Sequence, residues 1–183
     1  MSHVRVHNFS ISLDGYGAGD NQSLDAPMGH AGQRLSRWFF ETATFQTMIG
    51  NSGGSTGLDD EFARRWGAGI GCEIMGRNKF GPDRGPWRDE EWRGWWGDNP
   101  PFQTPVIVMT HHPRPPLVME GGTTFYFESG SPREILDHAT QLANGLDVRL
   151  GGGASSLRQF FQADLVDYAP LVIVPMVLGR GEP

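Results

Sequence analysis

Residues 147–167 read DVRLGGGASSLRQFFQADLVD: a short apolar run, three consecutive glycines, then a stretch with helical spacing. A strand that feeds a helix through so tight a turn is a building unit of α/β sheets. The same alternation runs through the rest of the chain. Residues 4–13, VRVHNFSISL, read as a strand ending in the turn-rich DGYGAGD. Residues 33–45 place Leu35, Trp38, Phe39 and Thr42 on one helical face. After the loop GNSGGSTG, residues 58–69 have acids at a helix start and glycine at its end. CEIMG (72–76), TPVIVMT (104–110), TTFYFE (123–128) and DVRLG (147–151) read as strands, and YAPLVIVPMVLG (168–179) as a long final one. SPREILDHATQLANG carries a capping box from Ser131 to Glu134, Pro132 in the first turn and Gly145 past the end, which predicts a helix. The pattern predicts a single α/β domain over residues 1–183 with a largely parallel sheet.

The glycines at 151–153 admit two readings. The first turn of a helix has unpaired N–H groups and a partial positive charge, and glycines let an anion approach them, with Ser155 and Ser156 adding hydroxyls. Equally, a tight strand-to-helix turn needs positive φ or close packing. The dinucleotide fingerprint G-x-G-x-x-G fails at Ser156, and the phosphate-binding loop of nucleoside triphosphatases lacks its lysine.

Composition narrows the partners. A net charge of −6 argues against a nucleic-acid surface, although Arg77, Lys79 and Arg84 cluster within eight residues and suit a local anion. The lone Cys72 excludes an internal disulfide and a multi-cysteine zinc site. No apolar run approaches the ~18 residues that span a bilayer, and no leader pattern opens the chain, so a cytoplasmic protein is expected. Residues 85–102 hold four of the six tryptophans in a segment without period. It reads as a packed loop or dimer contact, or else as an aromatic wall for a planar ligand.

Five stretches, taken in order, resemble the dihydrofolate reductase-like superfamily, nearest the branch that contains the reductase domain of bacterial riboflavin biosynthesis. They are FSISLDGYGAG (9–19), IMGRNKFGP (74–82), PVIVMTHHP (105–113), VRLGGGASSLRQFFQADLVD (148–167) and VIVPMVLGRGEP (172–183). The resemblance implies a three-layer fold, with a mixed, mostly parallel central sheet flanked by helices. It implies an NADPH-dependent reductase acting on a small heterocyclic substrate by direct hydride transfer, as a homodimer; the charge, the run lengths and the lone cysteine above add the expectation of no nucleic-acid or membrane partner and no metal. Gly152, Gly153, Ala154 and Ser155 would hold the pyrophosphate. Arg77, Asn78 and Lys79 would face the adenosine 2′-phosphate, flanked by Thr110 and His111. Ser10 to Gly17 would border the nicotinamide, with Asp14 either a proton donor or a turn residue.

The resemblance is incomplete on the substrate side. The acid expected of a folate reductase falls near Leu35, with Glu41 about a turn and a half away, so dihydrofolate reduction is not expected. Leu150 and Gly151 stand where the riboflavin branch carries a glutamate, and the zinc pattern of its fused deaminase is absent. No catalytic side chain is assigned. A nucleotide-binding sensor or scaffold without turnover is the alternative. The chain stops at GRGEP, where the family usually continues into a closing strand or hairpin, so the expectation is either that C-terminal residues are missing from this sequence or that the last strands are abbreviated.

Overall fold

The computed structural model describes residues 2–183. In chain order its elements are β1 (Val4–Val6), β2 (Ser10–Ser12), a 3₁₀ turn (Gly32–Ser36), α1 (Arg37–Phe40), α2 (Ala43–Met48), α3 (Leu58–Ala63), β3 (Ile70–Gly76) and α4 (Arg77–Phe80). There follow β4 (Pro105–Met109), β5 (Leu117–Val118), β6 (Thr124–Glu128), α5 (Pro132–Leu142), β7 (Asp147–Leu150), α6 (Ala154–Gln162) and β8 (Val172–Val174). They fall into two compact units: the chain up to Val6 with Gly69–Ala169, and His7–Ala68 with Pro170–Pro183.

The larger unit is a six-stranded sheet in the order β1-β7-β3-β4-β6-β5, parallel throughout except for β5. Parallel strands covered by helices are buried on both faces and so lack alternation. β3 shows this fully: all seven of its residues are buried. Helix α5 packs on β3, β4 and β7. Its start is built as the sequence predicts: the Ser131 hydroxyl accepts from the Glu134 N–H, and the Glu134 carboxylate accepts from the Ser131 N–H at 2.9 Å. The α/β class and the mostly parallel sheet are those expected. β5, a two-residue antiparallel edge, carries too little pattern to be read in advance.

The smaller unit holds the two-stranded parallel pair β2-β8 and the helices α1 to α3. Three expectations change here. Residues 4–13 are not one strand, because Asn8 adopts φ 56°, a left-handed turn between β1 and β2. The helix expected over 33–45 breaks at Thr42, whose hydroxyl donates to the Phe39 carbonyl (2.7 Å) and accepts from the Phe45 N–H (3.1 Å). One side chain thus closes α1 and caps α2. The long final strand reduces to β8, which lies between Pro170 and Pro175, residues with no N–H to offer a ladder.

Candidate active site: an anion cradle at the strand ends

β3 passes the chain to β4 on one side, whereas β7 on the other side is reached only on return from β6. The strand order therefore reverses between β7 and β3, and the carboxyl ends of strands at such a reversal are the place where open parallel sheets take ligands. The three-glycine turn sits there. Gly151 N–H donates to the Ile74 carbonyl (2.8 Å), and the Gly152 carbonyl accepts from Gly76 N–H (3.0 Å), so the turn is stitched to the end of β3.

The glycines do different work. A Cβ on Gly151 would run into the Glu73 carboxylate and Lys79 Nζ, so this position is glycine for packing. Gly152 and Gly153 adopt φ 126° and 87°, conformations open mainly to glycine. Gly153 then starts α6 with no capping side chain. The first-turn N–H groups of Ala154, Ser155 and Ser156 lack intrahelical acceptors, and the helix dipole adds positive potential there. Ser155 is exposed, while Ser156 is buried and packs so closely on Gly76 that no side chain fits at 76.

Beneath the turn lies a buried charge cluster that sequence reading missed. Glu73 on β3 and Arg149 on β7 are register partners, their side chains each 2% exposed, and they form an ion pair. Lys79 Nζ donates to Glu73 Oε1 (2.9 Å) and to the Gly151 carbonyl (2.5 Å). Burial pushes both the Lys79 ammonium and the Arg149 guanidinium below their ordinary pKa, and Glu73 opposes the shift in each. Lys79, expected to face a phosphate beside Arg77, thus has two protein acceptors under the turn. A signal for the cluster was present: one acid and one base, each in the middle of an apolar strand, require each other once those strands pair.

Arg77 opens α4 directly after Gly76, which brings it alongside the glycine turn. Its Nη1 donates to the Gly85 carbonyl (2.5 Å) and to Thr110 Oγ1 (3.4 Å), and its guanidinium lies 3.6 Å from the centre of the Trp87 ring. Its Nε and Nη2 are buried with no partner. Burial lowers its pKa, while Asp83 counteracts and Arg84 adds to the effect. Thr110, buried at the end of β4, also accepts from His112 N–H at 3.1 Å. Asn78 is half-buried on α4, and His111 is exposed just past Thr110. The larger unit therefore brings Arg77, Thr110 and the glycine turn to adjacent strand ends, with His111 on the rim.

Segment 85–102 packs onto the same unit. Trp87 Nε1–H donates to the His112 carbonyl (2.6 Å) and Trp92 Nε1–H to the Phe80 carbonyl (3.0 Å), while Trp96 stacks on Phe125. Arg114 holds the segment by donating to the carbonyls of Glu90 (2.9 Å) and Trp92 (2.7 Å). These contacts make it a packed loop.

In the smaller unit, the Ser10 hydroxyl accepts from Trp38 Nε1–H (2.8 Å) and Gly17 N–H donates to the Glu182 carbonyl (2.8 Å). Asp14 accepts from the N–H groups of Leu178 (3.0 Å) and Gly179 (2.7 Å). Hydrogen bonding, from Ser12 first, lowers its pKa to about 2, so it is a carboxylate at neutral pH and serves the turn. Leu35 is fully buried, with no acid in its place. Among the described residues, no group of His, Cys, Asp and Glu could hold a metal, and no helix is long and apolar enough to cross a membrane.

The model of the RibD C-terminal domain matches residues 4–183. No curated protein has a matching sequence. Among solved structures, a protein from Shewanella sp. PV-4 assigned to riboflavin biosynthesis shares the fold, with TM-score 0.57 and 19% identity over 100% of this chain and 82% of that one. Acinetobacter baumannii RibD aligns at TM-score 0.46 and 17% identity, and this chain spans 48% of its length.

Proposed function

The chain belongs to the RibD C-terminal domain family, a family of reductase domains, and from that premise we propose that it is an NADPH-dependent reductase of a small heterocyclic substrate. The cradle at the ends of β7, β3 and β4 is the phosphate end of its cofactor site. The observation that carries this reading is the edge of Arg77: two buried N–H-bearing atoms, Nε and Nη2, with no acceptor, beside an uncapped helix start. A buried, unsatisfied charged donor costs several kcal/mol at most sites, and a phosphate would satisfy both atoms at once.

In this reading the N–H groups at the start of α6 hold the pyrophosphate behind Gly152 and Gly153, and Arg77 reads the 2′-phosphate with Thr110 beside it. Lys79 sets the turn from below through the Gly151 carbonyl. When bound, NADPH supplies the hydride; the protein's part is to bind and orient. The substrate class follows the family, whose pathway reaction reduces the ribose of 5-amino-6-(5-phosphoribosylamino)uracil. Leu150, buried where that branch has a glutamate, indicates a different contact to the substrate.

Titration of NADPH and NADH by calorimetry tests the assignment. Arg77→Ala should weaken NADPH by about 1.5–3 kcal/mol, the range for a charged hydrogen bond, and leave NADH nearly unchanged. Equal losses for both nucleotides would contradict it. A second reading, a nucleotide sensor without turnover, is favoured by the absence of an acid at Leu35 and the engagement of Asp14 with backbone. Loss of NADPH absorbance with pterin, flavin-precursor or quinone acceptors decides for the reductase, and tight binding without turnover decides for the sensor.

A further inference from the structure

Trp87 is held on several sides. Its Nε1–H donates to the His112 carbonyl (2.6 Å), and its ring meets Phe127 and Phe80 edge-on at 5.3 and 6.0 Å. The Arg114 guanidinium, fixed by two carbonyls, lies 4.2 Å from the same ring. So anchored, the indole presents its π face to Arg77 at 3.6 Å, and Gly85, two residues earlier, takes up Arg77 Nη1. Face and one tip of the guanidinium are thereby occupied. What remains is the side edge, Nε and Nη2, whose N–H bonds run parallel and match two oxygens of a phosphate. Arg114 and Arg77 also share one indole; their hydrogen-bond acceptors, three carbonyls and the Thr110 hydroxyl, are all uncharged, with Asp83 acting on Arg77 and Asp89 and Glu90 on Arg114 only through space.

We propose that Trp87 is a positioning residue that sets the preference for a 2′-phosphorylated nucleotide by holding Arg77 with its bidentate edge free. The proposal rests on the reading of Arg77 as the 2′-phosphate contact. It gives segment 85–102 a role in cofactor choice: its first residues build the back of the phosphate site.

The test is calorimetric titration of the full chain with NADPH and with NADH, for wild type, Trp87→Leu, Trp87→Phe, Arg77→Ala and the Arg77→Ala/Trp87→Leu double variant. Trp87→Leu should weaken NADPH roughly three- to thirtyfold, the scale of a partly desolvated cation–π contact, and change NADH less than twofold. Trp87→Phe keeps an aromatic face without the bond to His112 and should show a smaller loss, again confined to NADPH. It carries the test if the leucine variant does not fold. In the Arg77→Ala background, Trp87→Leu should add nothing. Equal losses on both nucleotides, no loss, or an additive double variant overturns the role of Trp87 while Arg77→Ala still abolishes the preference for NADPH. If Arg77→Ala leaves that preference intact, the phosphate assignment itself falls, and Trp87's role with it.

Discussion

Glu73 and Arg149 face each other across β3 and β7, and the half-buried Lys79 completes a cluster with two cations on one buried anion. Removing the carboxylate takes the shared anion from both cations, of which Arg149 is fully buried. Glu73→Leu should therefore cost about 3–5 kcal/mol in denaturant unfolding. Pairing it with Arg149→Met should recover most of the loss, because the remaining Lys79 can release its proton and arginine cannot. Asp14 makes a prediction in pH. Its folded pKa of about 2 lies below the ordinary 3.8, so its contribution is present above pH 3.8 and is lost as pH falls towards 2. Melting curves between pH 5 and 2 should show a shallower decline for Asp14→Asn than for wild type. Neither interaction is visible at its own position: a glutamate in CEIMG and an aspartate before Gly15 acquire partners 76 and 164 residues away.

At the scale of elements, what depended on neighbouring residues was legible and what depended on distant ones was not. The capping box of α5 is complete within four residues, so sequence and structure agree on it. Ser131→Ala should cost about 1 kcal/mol, measured by chemical denaturation, because it removes the acceptor for the Glu134 N–H. The stretch from 33 to 45 has the right period for one helix, but Thr42 can bond backwards to Phe39 and forwards to Phe45, and the helix breaks there. Helix α4 spans only Arg77–Phe80, too few residues for periodicity to register in the sequence. The glycine turn combines both readings of its sequence: Gly151 answers to packing against Glu73 and Lys79, and Gly152 and Gly153 to the conformation that bares the start of α6.

At the scale of the whole molecule, a ligand that binds only the folded chain must stabilise it by mass action. NADPH at about 100 times its dissociation constant should add ~2.7 kcal/mol, or about 5–10 °C in Tm for a chain of this size. A scanning-calorimetry shift that is smaller with NADH, and that shrinks in Arg77→Ala, would tie that stabilisation to the 2′-phosphate. By itself the sequence determined the α/β class, the strand–glycine–helix unit at 147–162 and the presence of Arg77 after β3, since each is written in local period, turn chemistry and residue order. Only the tertiary structure decided that β7 lies beside β3, that Lys79 serves the turn from below, and that Trp87 backs Arg77. Those pairings join residues far apart in the chain, and burial makes them obligatory: a charge inside the sheet must find whichever partner the topology brings to it.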